Sequence, residues 1–201
     1  AGEQRDTLAV LASRYLATLR RSGTTGAETR FITDRGADLP WLIGFAATLF
    51  PQAPIIHVLR HPVDIVLSGF AQDRLYAGNA GVTLASLARL YDAQMQAIAH
   101  IRGQMTLRYF PVRYEDMVLD PAATLGTVLD FIAIQADPVA LLTAPPRTVP
   151  RAPTHRVLQQ APYRRSLYRH RAFGAVFDDA MPILTPWIER LGYDRAERIA
   201  A

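Results

Sequence analysis

Helical and extended hydrophobic patterns alternate along the chain. Residues 54–59 form a compact apolar run of the kind found in buried parallel strands. Residues 30–34 are predicted as a short strand and 106–116 as a third, which Pro111 makes irregular in its middle. Segments with helical spacing lie before and between these runs, and the predicted helices are 6–20, 39–50, about 62–76, 83–102, about 121–133, a short one after Asp137, and 174–191. Strands separated by helices predict an α/β fold with a parallel sheet and right-handed crossovers.

The predicted strand ends are the first places to look for a ligand. In open parallel sheets, ligands bind beyond the carboxyl ends of the strands. Here those ends are residues 33–35, 59–62 and 114–116.

Composition narrows the class of protein. At 201 residues the chain fits one domain, 1–201, and half of its residues are apolar. The absence of cysteine excludes disulfides and thiolate metal sites. No apolar run reaches the roughly 20 residues of a membrane span. Because the chain begins at Ala1 rather than Met, we expect a piece of a longer protein or a processed chain.

All 22 basic residues are arginine, and the formal net charge is +4. Without a phosphate-loop lysine, a Walker-type nucleoside triphosphatase is excluded. Residues 147–171 contain seven Arg, two His and no acidic residue. This run is a solvated face, a flexible basic loop or a clamp on a phosphate-bearing ligand.

The segment IIHVLRHPVDIVLSGF, residues 55–70, contains the clearest candidate chemistry. Its strand delivers Arg60 to the sheet edge, and Pro62 suits the first turn of the helix that follows. The amino terminus of that helix offers unpaired N–H groups, and Arg60 adds a fork that matches phosphate. Ser68, less than two turns into the helix, adds a hydroxyl.

This segment resembles the 3′-phosphate-binding motif of the sulfotransferases, which is Arg-x-Pro-x-Asp followed by Ser. Arg60, Pro62, Asp64 and Ser68 fit its spacing. The resemblance is strongest to the bacterial, cytoplasmic group linked to tetratricopeptide repeats. It implies that Arg60 and Ser68 hold the 3′-phosphate of 3′-phosphoadenosine 5′-phosphosulfate (PAPS) or of its product, 3′-phosphoadenosine 5′-phosphate (PAP), without a metal.

Further motifs extend the resemblance over roughly residues 5–192. FITDRGADLP and the following FPQAPIIHVLRHP resemble the family's Asp-Lys-x-Pro-x-Asn segment, helix and strand, and VRYEDMVLDP resembles a segment whose Tyr lies near the adenosine. The resemblance implies a three-layer α/β fold like that of the P-loop nucleoside triphosphatases, with residues 143–171 covering the cofactor and 174–191 as the last helix. The cofactor-binding residues it adds are Tyr114, Thr154, Arg164 and Arg171.

Sulfuryl transfer needs a base for the acceptor hydroxyl and a cation on the transferring group. Related carbohydrate sulfotransferases have a carboxylate followed by Lys at the position of Asp34 and Arg35, which we therefore predict as base and cation. The chain departs from the family in this segment, where Lys, Pro and Asn are all replaced. It also has Gln159 where Arg is expected and His170 where Trp is expected.

Residues 20–28, RRSGTTGAE, contain the Arg-Ser-Gly-Thr-Thr of the family's 5′-phosphosulfate loop. Here the motif follows an amphipathic helix and precedes a strand, so helix carbonyls point toward it, the wrong polarity for an anion. We interpret it as a chance match. The first strand and the true loop would then lie upstream of Ala1, and this chain alone would be inactive.

Three functions remain open at this point. The first is part of a sulfotransferase that modifies a hydroxyl or amine on a small-molecule, carbohydrate or peptide acceptor, with a possible N-terminal repeat domain. The second is an inactive module that binds a nucleotide or a protein. The third is nucleic-acid binding through residues 147–171, for which the sequence offers only a general basic face, so no nucleic-acid partner is predicted. Glu115 and Asp116 are expected to pair locally rather than to catalyse.

Overall fold

The computed structural model of the chain describes residues 2–21, 29–35, 39–72, 83–144 and 164–193. The two strands within these ranges are β1 (Ile55–Leu59) and β2 (Tyr109–Arg113). The α-helices are α1 (Gly2–Leu19), α2 (Leu39–Leu49), α3 (Pro62–Gln72), α4 (Leu84–Gln104), α5 (Tyr114–Leu119), α6 (Pro121–Phe131), α7 (Pro138–Thr143) and α8 (Met181–Arg190). Within the described residues, three 3₁₀ helices precede α8: Arg164–Ser166, Arg169–Ala172 and Gly174–Phe177.

The chain forms two compact units. The first unit combines residues 1–53 with 93–108, and the second combines 54–92 with 109–201. Helix α4 therefore contributes its first part to the second unit and its later part to the first.

The sheet belongs to the second unit and confirms the predicted parallel arrangement. Strand β1 pairs with β2 in parallel, with Ile55 opposite Tyr109 and Leu59 opposite Arg113. The two strands thus end side by side. As a result Arg60 and Tyr114, the residues that follow them, start from the same edge of the sheet.

Local sequence signals explain where the helices of the second unit begin. Proline occupies the first turn of α3, α6 and α7, where its missing N–H costs nothing. Asp120 accepts a hydrogen bond from the N–H of Ala123 (3.1 Å) at the start of α6. At the start of α4, Thr83 and Ser86 exchange side-chain to backbone hydrogen bonds of 2.9 and 3.0 Å, so Thr83 caps this helix.

The core of the second unit contains apolar side chains from α3, the start of α4, β2 and α8. Its most buried members include Val63, Val66, Ala88, Val112, Leu184 and Tyr193. Trp187 of α8 is also buried, and its indole N–H donates to Asp92 of α4 at 2.7 Å. These contacts fix α8 to the rest of the unit.

The first unit contains α1, α2 and the later part of α4. Ile43 and Ala47 of α2 are buried, and the rings of Tyr15 and Phe50 lie 5.6 Å apart. Arg108 donates to the carbonyl of Gln52 at 2.8 Å. The contact between Tyr15 and Phe50 packs α1 against the end of α2 within this unit.

Several predicted elements differ in the structure. The strand predicted over 106–116 spans only Tyr109–Arg113, and helix α5 begins directly after it at Tyr114. Residues 30–34 form no strand, since Phe31 is 61% exposed and no described strand pairs with the segment. The last helix begins at Met181 rather than at 174, because Gly174 has a left-handed φ of 48° and Pro182 favours a helix start.

The predicted loop 143–171 is also different where it is described. Residues 164–166 and 169–172 form 3₁₀ helices, while residues 145–163 lie outside the described part of the chain. None of the described helices is both long and apolar enough to cross a membrane.

Candidate functional site

Arg60 lies just beyond the carboxyl end of β1, with its side chain 19% exposed. Its Nη2 donates to the carbonyl of Ser166 at 2.5 Å and lies 3.5 Å from Oδ2 of Asp64. The guanidinium carbon is 4.9 Å from the centre of the Tyr114 ring, a cation–π contact. Among the described residues, Nε of Arg60 has no hydrogen-bond partner. The guanidinium group is therefore held through Nη2 and through its contact with the Tyr114 ring.

Asp64 connects α3 to the 3₁₀ helix Arg169–Ala172. Its Oδ1 accepts from the backbone N–H of His170 at 3.0 Å and lies 2.9 Å from His170 Nδ1. Burial, the largest single influence, raises the pKa of Asp64. The hydrogen bonds from His170 and the charge of Arg60 outweigh it, so the pKa is lowered. Asp64 is thus an ionised carboxylate in the first turn of α3, where the helix dipole favours it.

His61 is 1% exposed and lies between these groups. Its backbone N–H donates to Oε1 of Glu115 at 2.9 Å, and its ring stacks on that of His170 at 4.2 Å. Burial, followed by the electrostatic influence of the neighbouring His170 ring, lowers the pKa of His61 to about 3, although Asp64 acts in the opposite direction. The buried ring is therefore neutral at physiological pH.

This neutral ring predicts a loss of stability in acid. The folded pKa of about 3 lies below the ordinary value of 6.5, so the unfolded chain takes up the proton first as pH falls. The stability contributed by His61 is complete above pH 6.5 and is lost as pH falls toward 3, by at most about 1.4 kcal/mol per pH unit.

Denaturant unfolding at pH 7 and pH 5 measures this effect. The loss between the two pH values should be smaller in His61→Phe than in the wild type. It should be unchanged in His100→Gln, which replaces an exposed histidine of α4. An equal loss in the wild type and His61→Phe would rule out His61 as the cause.

The amino terminus of α3 does not present its amides to a ligand, which corrects the expectation from the sequence. His61, Val63 and Asp64 are each 1–2% exposed, and the helix Arg169–Ala172 packs against this turn. An anion at this end of α3 would therefore contact side chains rather than the helix end. The predicted phosphate-binding side chains in this region are those of Arg60 and of Ser68, which is partly exposed within α3.

Two more of the predicted cofactor-binding residues, Arg164 and Arg171, are exposed in the structure. Arg171 is exposed, and its guanidinium carbon lies 4.6 Å from the centre of the Tyr168 ring, which in turn lies edge-on to His61. Arg164 is exposed in the first 3₁₀ helix. Thr154 lies outside the described residues. The structure thus brings Arg60 and Tyr114 into contact, and it places Arg171 on the ring of Tyr168, next to His61.

Asp34 and Arg35, the predicted base and cation, belong to the first unit and are exposed. The hydroxyl of Tyr15 donates to Oδ2 of Asp34. Burial and the hydrogen bond to Asp34 raise the pKa of Tyr15 to about 12, so this phenol remains a donor. The sequence predicts Tyr15 only as a member of the helix 6–20, and no local signal joins it to Asp34.

Glu115 is a structural carboxylate that the sequence predicted only as a local partner. It is 3% exposed, and besides the N–H of His61 it accepts from the hydroxyl of Tyr193 at 3.0 Å. Burial and the charge of Glu115 raise the pKa of Tyr193. Glu115 therefore joins His61, two residues after β1, to Tyr193 at the C-terminal end of the described chain.

Comparison with known proteins identifies the class. The sulfotransferase family matches residues 3–138, more than half of the sequence, and the chain belongs to this family. No curated protein is similar enough in sequence to be matched to it.

Two solved structures resemble the chain in fold. One is the sulfotransferase domain from the Synechococcus PCC 7002 olefin synthase, with 24% identity and a TM-score of 0.62, covering 88% of this chain and 63% of that one. The other is the sulfotransferase domain from the curacin biosynthetic pathway, with 22% identity and a TM-score of 0.51, covering 62% of this chain and 45% of that one. The chain thus has their α/β sulfotransferase fold and spans less than two thirds of either structure.

Proposed function

We propose that this chain provides the nucleotide-binding part of a PAPS-dependent sulfotransferase. The whole protein would transfer a sulfuryl group to a hydroxyl or amine of a small-molecule, carbohydrate or peptide acceptor. One observation carries the proposal. In a chain of the sulfotransferase family, an arginine at the carboxyl end of β1 is held by a carbonyl, a carboxylate and the ring of Tyr114.

The residues present fit the 3′-phosphate and adenosine of such a nucleotide. The guanidinium of Arg60 is fixed through Nη2, and its Nε has no hydrogen-bond partner among the described residues. A phosphate binds such a fork through charge-assisted hydrogen bonds. Ser68 would add a hydroxyl to the phosphate, and the ring of Tyr114 would lie near the adenosine. Arg171 would add positive charge, and Arg164 and Thr154 complete the proposed set.

Asp34 and Arg35 would supply the transfer chemistry. PAPS, when bound, supplies an activated sulfuryl group. Asp34 would take the proton of the acceptor hydroxyl, and the hydrogen bond from Tyr15 would orient its carboxylate. Arg35 would place positive charge near the transferring group; unlike Lys it cannot give up a proton, so its role is electrostatic only.

The wider setting of the domain also stays a proposal. We expect a cytoplasmic protein of the bacterial, tetratricopeptide-linked group, with a repeat domain in the intact chain. The two fold neighbours are described as domains of an olefin synthase and of the curacin pathway, so they provide no support for the repeat linkage.

Titration calorimetry with PAP, ATP and adenosine 5′-monophosphate tests the proposal. We expect PAP to bind at least about tenfold more tightly than either comparison nucleotide, because only PAP carries the 3′-phosphate that Arg60 would bind. Equal affinities for the three would contradict a 3′-phosphate site.

Repeating the titration at two salt concentrations separates a pocket from a general basic surface. A single bisphosphate site should lose little affinity between 50 and 200 mM salt, whereas binding to a polyanion through many arginines should fall steeply. If PAP binds but the intact protein transfers no sulfuryl group to any acceptor, the inactive binding module is the correct description.

A further inference from the structure

We propose that His170 is a positioning residue for the nucleotide site. By donating to Asp64 it holds residues 164–172 against the first turn of α3, and this contact fixes Arg60 and Arg171. The part of the proposal that concerns nucleotide binding rests on the function proposed above, while the part that concerns the order of residues 164–172 does not.

Asp64 and His170 form two hydrogen bonds between the first turn of α3 and the 3₁₀ helix Arg169–Ala172. One residue presents two donors, its backbone N–H at 3.0 Å and Nδ1 at 2.9 Å, to the same carboxylate oxygen. The Asp64 side chain has no exposed surface, and that of His170 is 14% exposed. On its other side the His170 ring stacks on His61 at 4.2 Å with an interplanar angle of 12°. His170 is thus held between a carboxylate and a buried ring.

The position of Arg60 depends on the same contact. The two groups near its Nη2 are the carbonyl of Ser166 and Oδ2 of Asp64. Ser166 lies four residues before His170, so its carbonyl stays in place only while residues 164–172 remain against α3. Asp64 is also the carboxylate that His170 orients. Losing the pair would therefore disturb both partners of Arg60 together.

The backbone of this segment needs an external contact to keep its shape. Tyr168 has a left-handed φ of 50°, which is unfavourable for a residue with a side chain. Its ring lies edge-on to His61 and accepts the guanidinium of Arg171 on its face. The Asp64–His170 pair, two residues further on, supplies the compensating contact and thereby sets where Arg171 lies.

Two substitutions separate the functions of the imidazole. His170→Phe retains a flat ring that can stack on His61 but removes the Nδ1 donor. His170→Asn retains an N–H donor near the position of Nδ1 but removes the ring. Arg169→Ala, at the exposed neighbouring position, is the matched control. We expect the hydrogen-bond donor to matter more than the ring. His170→Asn should therefore retain the order of residues 164–172 and the PAP affinity that His170→Phe loses.

Hydrogen exchange measured by mass spectrometry tests the order of the segment without a nucleotide. In the wild type, Arg169→Ala and His170→Asn, amides of residues 164–172 should exchange slowly. In His170→Phe they should exchange at least about tenfold faster, the size expected for losing a hydrogen bond to a charged group. Peptides covering 109–119 should be unchanged in all four proteins, which shows that the fold is intact.

Calorimetry with PAP on the same proteins tests the link to the nucleotide. His170→Phe should bind PAP about tenfold more weakly than the wild type, and His170→Asn should stay within about threefold. Wild-type exchange in His170→Phe would overturn the positioning role, and fast exchange in both variants would overturn the role of the donor. Fast exchange in His170→Phe with unchanged PAP binding would overturn the link to the nucleotide. If the wild type binds no PAP while the exchange pattern holds, the proposed function fails and the positioning of the segment stands.

Discussion

Replacing Arg60 with alanine is expected to weaken PAP binding at least about a hundredfold, since two charge-assisted hydrogen bonds to phosphate would be lost. Arg60 is the cation placed at the carboxyl edge of β1 and held beside Tyr114. Its removal also takes the positive charge from beside Asp64, which would then repel the phosphate more strongly. Titration calorimetry of the variant with PAP measures the loss.

Two further variants make this result specific to the fork of Arg60. Arg60→Lys retains the charge but not the bidentate geometry, so an intermediate loss of about tenfold is expected. Arg89→Ala removes an exposed arginine of α4 and should leave PAP binding unchanged. If Arg60→Ala and Arg89→Ala reduce binding equally, the nucleotide is held by net charge and not by this site.

Replacing Glu115 with alanine is expected to lower the free energy of unfolding by about 3 kcal/mol, because two buried donors lose their acceptor. These donors are the backbone N–H of His61 and the hydroxyl of Tyr193, both in residues that are almost fully buried. Neither group can reach water without opening the packing around α3. Urea unfolding followed by circular dichroism measures the change.

The adjacent carboxylate provides the control for this prediction. Asp116 is exposed, and Asp116→Ala should change the free energy of unfolding by no more than about 0.5 kcal/mol. Tyr193→Phe removes one of the two donors and should fall between the two variants. A loss in Glu115→Ala no larger than that in Asp116→Ala would show that these hydrogen bonds do not stabilise the fold.

The sequence predicted the parts of the fold that depend on local signals. Proline in the first turn marked the start of α3, because proline acts on the residues next to it. The parallel sheet followed from the alternation of strands and helices. The sequence predicts a short strand at residues 30–34, but a strand also needs a neighbour, which a local pattern does not reveal.

The candidate site was predicted less completely, because most of its contacts join distant parts of the chain. The motif around Arg60 identified the cation and the sheet edge. The carbonyl of Ser166 that holds this cation is 106 residues away, and the same separation joins Asp64 to His170. The sequence marked His170 only as a departure from the family pattern. Only the three-dimensional structure shows its two hydrogen bonds to Asp64.

A crystal structure of this chain with PAP would show directly whether Arg60 binds the nucleotide. We expect the 3′-phosphate to lie within hydrogen-bond distance of Arg60 and Ser68, with the adenosine near Tyr114. A nucleotide bound elsewhere, with no contact to Arg60, would contradict it.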